Sequence, residues 1–299
     1  AKTGFIGSGT PMNTPPFRLI VFDFSGTLSL AAVEFGRSEN LFPALEASGL
    51  FALGVTSEAF FWDEIVYPTW VEGSTTPRGY KAVLVDRIAA MGLHAPDDPD
   101  PRGSIERAVT DLLDRYFDQC RIDPRWRTLL EALQKNDAVR VLVATDHYAE
   151  ATPLIKGRLA DWGIAAIALE EASPKSQTPF IIANSSDLGH HKADILYWQR
   201  IRRILDPDGQ SRILLVDDFG GNEDSSDPYG DPARVKSRQL ETARVLREVF
   251  PGQVEIHSFI VDRSEINHFT MLDKDRLYGF YITKAVSYVR SFLASGPNT

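Results

Sequence analysis

The stretch Arg18–Leu30, RLIVFDFSGTLSL, decides the fold. Leu19 to Phe22 show none of the alternation of a half-solvated strand, so the run reads as a strand buried on both faces. It then delivers a carboxylate, Asp23, into a turn built from Ser25, Gly26 and Thr27. The acid at the end of the run has to be explained, and so does the serine two residues beyond it.

Outward from this strand, the sequence repeats its pattern. Apolar runs over Leu19–Phe24, Val139–Ala144, Phe180–Ala183, Arg212–Val216 and Val254–Val261 predict five buried strands. Helical patterns separate the later ones. Thr152 and Pro153 read as the cap and first-turn proline of a helix closing near Gly163. Further helices are predicted over Lys192–Leu205, Pro232–Phe250 and Asp273–Leu293. Strand and helix in alternation imply an α/β fold with a doubly wound, Rossmann-like parallel sheet.

The first gap, from Phe24 to Val139, holds helices and loops instead. Tyr80, Leu84, Ile88 and Met91 form one stripe, closed by Gly92, and Ile105, Val109, Leu112, Tyr116 and Phe117 form another, opened by Ser104. The intervening HAPDDPDPRG reads as neither helix nor strand. Asp123-Pro124 opens the helix carrying Trp126, Leu129, Leu130 and Leu133. The expected division is a leader over 1–16, an α/β core over 17–30 and 123–299, and a helical insert over 31–122. In the leader, GFIGSG lacks the preceding strand that a nucleotide-binding glycine loop needs.

The 299 residues carry a net charge of -9, with no basic tract, which argues against a nucleic-acid or anionic-membrane partner. No apolar run approaches the ~20 residues of a membrane span. A single cysteine, Cys120, excludes an intrachain disulfide and a multi-cysteine zinc site and reads as structural. The expected setting is reducing and cytoplasmic.

Several strands end on groups that carry chemistry. The first ends at Asp23, the second at Thr145, and the fourth at Asp217-Asp218; NSSDLGHHK, with Lys192, follows the third. Open α/β sheets bind ligands outside the carboxyl ends of their strands, so these side chains can face one crevice. Two adjacent acids finishing an apolar run call for a compensating cation or donors. Carboxylates with a hydroxyl and a lysine suit magnesium and a phosphate. His190 and His191 read as solvent-facing loop residues.

In these features the chain resembles the haloacid dehalogenase (HAD) superfamily. VFDFSGT is similar to that family's first motif, DxDGT, except at one acid; VLVAT, the lysine of SSDLGHHKADIL and the paired acids of LLVDDFGGNED follow in the family's order. The insert lies where this family often carries a cap domain. The resemblance implies Asp23 as the nucleophile that forms an aspartyl phosphate. It implies magnesium held by Asp23, the Ser25 carbonyl and Asp217 or Asp218, with Thr145 and Lys192 binding phosphoryl oxygens. The expected partner is a small phosphorylated or phosphonate metabolite.

Ser25 departs from the family pattern, which has there an acid that protonates the leaving group and activates water. Three readings follow. One is a magnesium-dependent phosphohydrolase or phosphotransferase with a substitute acid: Asp146, Glu34 or an acid of the cap. Another is a C–P bond hydrolase resembling phosphonoacetaldehyde hydrolase, with Lys81 forming a Schiff base. The third is a binding module that has lost turnover. Trp62, Trp70, Arg78 and Tyr80 of the insert serve either selectivity or packing.

Overall fold

The computed structural model describes residues 18–173, 180–206, 211–224, 229–250, 252–263 and 271–295. The expected leader over 1–16, with its GFIGSG, lies outside them. The chain runs β1 (Arg18–Phe22), α1 (Leu30–Phe35), α2 (Ser38–Ser48), α3 (Glu58–Phe60), a π-helical stretch (Phe61–Val66), α4 (Tyr67–Thr75), α5 (Tyr80–Ala90) and α6 (Pro101–Gln119). It continues through α7 (Arg127–Gln134), β2 (Val139–Thr145), α8 (Ala151–Ala160), β3 (Ala166–Ala168), β4 (Phe180–Asn184) and α9 (Ser185–Leu188). Then follow α10 (Ile195–Leu205), β5 (Arg212–Asp217), α11 (Pro232–Val249), β6 (Val254–Ser258) and α12 (Met271–Ala294).

The six strands form one parallel sheet in the order β3-β4-β2-β1-β5-β6. This is the doubly wound α/β architecture the apolar runs predict. β1 lies at the centre, Phe22 opposite Val143 on one side and Val216 on the other. From β1 the chain moves toward β2, and from β5 toward β6, so the connections diverge between β1 and β5 and open a crevice at their carboxyl ends. Both faces of the sheet are covered. Trp126, Leu130, Ile155 and Ile282 pack on one face, and Tyr197, Trp198, Ile201 and Leu246 on the other. The helices between β1 and β2 have a core of their own, including Leu45, Phe61, Ile65, Leu84, Ile88 and Val109.

Several local expectations are corrected. β3 was not expected: its AIA is too short to register as an apolar run. β6 ends at Ser258, short of Val261. α8 begins at Ala151, so Thr152 is inside the helix, where its hydroxyl donates to Asp187 Oδ2 at 2.6 Å. α6 begins at Pro101, not Ser104, because Asp100 accepts from the Gly103 amide and Pro101 needs no partner at the first turn. Asp123 does cap the short turn leading into α7, as expected. No helix among the described residues is long and apolar enough to cross a membrane.

Candidate active site

The site begins with the turn after β1. Asp23 is 4 % exposed and directly follows the strand, its amide donating to Val216 O at 2.9 Å. Gly26 then takes φ +81°, and a Cβ there would sit 2.3 Å from Asp218 Oδ2. The glycine therefore serves both a left-handed turn and a close approach to the acid. Thr27, fully buried, accepts from the Asp218 amide at 3.1 Å through its hydroxyl. Asn222 ties the same loops together, donating to Gly26 O and Phe259 O and accepting from the Val261 amide.

Opposite, β5 ends at Asp217. Asp217 Oδ1 accepts from the Phe219 amide at 2.7 Å, and Asp218 Oδ2 accepts from the Asn222 amide at 3.0 Å. Phe219 adopts φ 55°, an uncommon conformation for a residue with a Cβ.

Lys192 completes the cluster from a different direction. It does not start α10, whose first residue is Ile195 with Asp194 as its cap; it sits in the preceding turn. Its amide donates to Asp146 Oδ1 at 2.8 Å and its carbonyl accepts from Trp198 Nε1 at 2.6 Å. With the backbone held at both ends, Nζ reaches Asp23 Oδ1 at 2.6 Å and Asp217 Oδ2 at 2.7 Å. Burial alone would lower the lysine's pKa, but Asp217 and Asp23 outweigh it and push it well above the ordinary value. The ammonium is permanently charged at neutral pH.

The acids remain under-compensated. Asp23, Asp217 and Asp218 bring ligand oxygens within 4.8 Å of one another, so three buried carboxylates share one ammonium. Burial drives the Asp23 carboxyl well above its usual range; Lys192 pulls against this and Asp217 and Asp218 add to it. Burial, with Asp217 beside it, likewise pushes Asp218 up to about 7. An oxygen-only donor set with surplus negative charge fits a hard divalent cation such as magnesium. Such an ion would restore both carboxylates to the charged form.

Ser25 and Thr145 line the same cavity, which encloses about 140 Å³ beside the acids. Asp146 also lines it, and so does Glu223, which the sequence reading did not single out. Two expected candidates are elsewhere. Lys81 is exposed and is not among the lining residues. Glu34 is not among them either. Burial alone would raise the Glu34 carboxyl, yet hydrogen bonds from Lys274 and Tyr278 and the charges of Arg263 and Arg37 hold it down at about 2. It sits at the centre of an ion-pair cluster with Arg37, Arg263 and Lys274.

The two histidines also differ from expectation. His191 stacks on Trp70 with ring centroids 5.9 Å apart and meets Ser74 Oγ at 2.7 Å; His190 pairs with Asp194 at 2.9 Å. Both are half-buried. Cys120 is buried, its thiol pushed up to about 12 mainly by burial.

Sequence reasoning missed His147. It is 4 % exposed, and burial lowers its pKa to about 4, so it is neutral. Its Nδ1 accepts from the Tyr148 amide at 2.9 Å, which leaves the proton on Nε2 to donate to Tyr116 Oη at 3.0 Å. Its position just past the β2 terminus was the available signal.

No protein-family model matches the chain, and no curated protein matches it. Among solved structures, the chain is similar to the "putative HAD-hydrolase YfnB from Bacillus subtilis bound to magnesium". The two are 14% identical over 68% of this chain and 78% of that one, with a TM-score of 0.35. A superposition that loose adds nothing to what the strand order already gives.

Proposed function

We propose that the protein is a magnesium-dependent hydrolase or phosphotransferase of the HAD type, acting on a small phosphorylated metabolite. One observation carries this reading: Asp23, Asp217 and Asp218 gather at the adjacent carboxyl ends of β1 and β5, with Lys192 bridging two of them. In this reading Asp23, the Ser25 carbonyl and Asp217 or Asp218 hold magnesium, which supplies charge neutralisation for the phosphoryl oxygens when bound.

The chain's own residues then divide the work. Asp23 attacks phosphorus through a carboxylate oxygen as the P–O bond to the leaving alcohol breaks, and water or an acceptor alcohol then attacks the aspartyl phosphate at phosphorus, releasing the Asp23 carboxylate. Thr145 donates its hydroxyl to a phosphoryl oxygen. Lys192 offsets the negative charge that builds on the transferring group and, together with the bound metal, favours the ionised form of Asp23. Of the candidate substitute acids, Asp146 lines the cavity and Glu34 does not, but Asp146 Oδ1 is held by the Lys192 amide, so it is no full replacement for an acid at position 25. The helical segment over 31–122 serves as a cap over the core formed by 17–30 and 123–299, closing the site from above. Lys81 is exposed and outside the cavity lining, so this reading gives it no role and favours phosphoryl transfer over the Schiff-base C–P alternative.

The test is mass spectrometry of the protein quenched during turnover of acetyl phosphate in magnesium. A phosphoryl adduct on Asp23, with turnover abolished in Asp23→Asn, is the expected result. Turnover that survives Asp23→Asn would overturn the reading. So would a folded protein that neither forms the adduct nor releases phosphate from any ester, which would then be a binding module.

A further inference from the structure

The cavity beside the acids is walled by aromatic rings to a degree that phosphoryl transfer does not require. Trp62, Tyr67, Trp70, Tyr80, Tyr116 and Tyr148 all line it. They come from the continuous rod of the π-helical stretch and α4, from α5, from α6 and from the segment after β2, so four separate pieces of chain converge on one volume.

The rings hold one another at defined angles. Tyr80 and Tyr148 stack with centroids 3.7 Å apart and planes at 6°. Trp70 meets Tyr148 edge-on at 5.2 Å and 89°, and Tyr80 meets Tyr116 at 6.3 Å and 86°. Trp62 lies 6.1 Å from Tyr67. Core packing alone would bury these rings, yet Trp62, Tyr67, Trp70 and Tyr116 are only half-buried. Offset and edge-to-face contacts of this kind can accept one more ring.

Two further observations narrow the ligand. Among the described lining residues the cations are Lys192 and Arg238. Lys192 is committed to Asp23 and Asp217, while Arg238 donates to the Phe219 carbonyl and lies 3.9 Å from the Tyr229 ring centroid. The aromatic part of the cavity therefore has no cation for a second anionic group. The Tyr148 hydroxyl is buried beside that of Tyr80, its hydrogen-bonding neighbour, so this part of the wall presents ring faces and no charged group.

The geometry points to a phosphate monoester of an aryl alcohol as the substrate class, its phosphate at Asp23 and its uncharged ring in the aromatic cage. This inference rests on the proposed phosphoryl-transfer reading. The chemistry agrees with it. An Asp23 oxygen bonds to phosphorus, the P–O bond to the aryl group breaks, and the aryl oxide leaves with the electron pair. An aryl oxide is stable enough to depart and take its proton from water, so Ser25 need not supply one. Water then attacks phosphorus, releasing phosphate, regenerating the Asp23 carboxylate and giving its proton to solvent. An alkyl oxide is a far poorer leaving group and needs an acid in place.

The experiment compares binding of 1-naphthylmethylphosphonate and ethylphosphonate to the whole chain in magnesium, by calorimetry. Neither has a scissile ester bond, so affinity is read apart from catalysis. Burial of the naphthyl ring predicts at least ~30-fold tighter binding of the first. Trp62→Ala should reduce that preference by ~10-fold. Affinities within about threefold of each other in the wild type would overturn the inference. The preference should persist in Asp23→Asn while turnover of 1-naphthyl phosphate is lost. Preference with turnover that survives Asp23→Asn would overturn the catalytic reading and leave the binding inference standing.

Discussion

Gly26→Ala probes the turn that brings the two acidic loops together. The new Cβ would sit 2.3 Å from Asp218 Oδ2 and 2.7 Å from its Cγ, inside the 3.0 Å that Cβ contacts respect. Asp218 cannot swing aside freely, since it is 1 % exposed and its Oδ2 is held by the Asn222 amide. The backbone adds its own cost, because φ +81° places an alanine in the left-handed region at ~1–2 kcal/mol. Overpacking contributes ~1–3 kcal/mol more, for a total of ~3 kcal/mol. Gly49→Ala is the control: its φ is +86° but nothing lies within 4 Å of the new Cβ, so only the backbone cost of ~1 kcal/mol remains. At about 2–4 °C per kcal/mol, Tm should fall by ~6–12 °C in the first variant and ~2–4 °C in the second. Differential scanning fluorimetry with and without magnesium reads both quantities. Gly26→Ala should also lose its magnesium-dependent shift, because Asp218 has been displaced. Equal losses of Tm, with magnesium response retained, would refute the reasoning about close approach.

Three other outcomes are expected. Magnesium should raise Tm of the wild type but not of Asp217→Ala; equal responses would remove the metal site. Ser25→Asp should raise hydrolysis of alkyl phosphates by ~10-fold or more, and of aryl phosphates by less, because only the alkyl leaving group needs the proton; no gain in a folded, magnesium-binding variant would refute this. Glu34, held down at about 2, contributes stability above its ordinary range near 4.5 that is lost as pH falls toward 2. Glu34→Gln should therefore lower the urea midpoint at pH 7, with the gap to wild type closing below pH 4; a gap unchanged down to pH 2 would count against the ion-pair account.

The sheet was legible because both faces of its long strands are covered, leaving uninterrupted apolar runs. Ile213, Leu214 and Leu215 of β5, for example, lie in register beside Leu19, Ile20 and Val21 of β1. β3 was not legible, since three residues at a sheet edge carry too little pattern. The helical rod from Glu58 to Thr75 was hidden for a different reason. The Tyr67 amide donates to Trp62 O, five residues back, and Pro68 follows without an amide of its own, so the 3.6-residue period is broken. The acids and Lys192 could be read because strand ends announce them. The aromatic cage could be read only in part: Trp62, Trp70 and Tyr80 stood out in the insert, but its rings are scattered as far as Tyr148 and only the packing of helices onto the sheet unites them.

The central position of β1 has a consequence for how the chain is made. Arg18 pairs with Val139 and Arg212, so about 120 residues must be synthesised before the first partner of β1 exists. At ~5–20 residues per second the segment carrying the nucleophile waits on the order of ten seconds, with both apolar faces and both hydrogen-bonding edges unpaired. The helices between β1 and β2 meet mostly near neighbours in sequence and can collapse during that interval. The acidic site then assembles only when β5 docks beside a strand that emerged about 190 residues earlier.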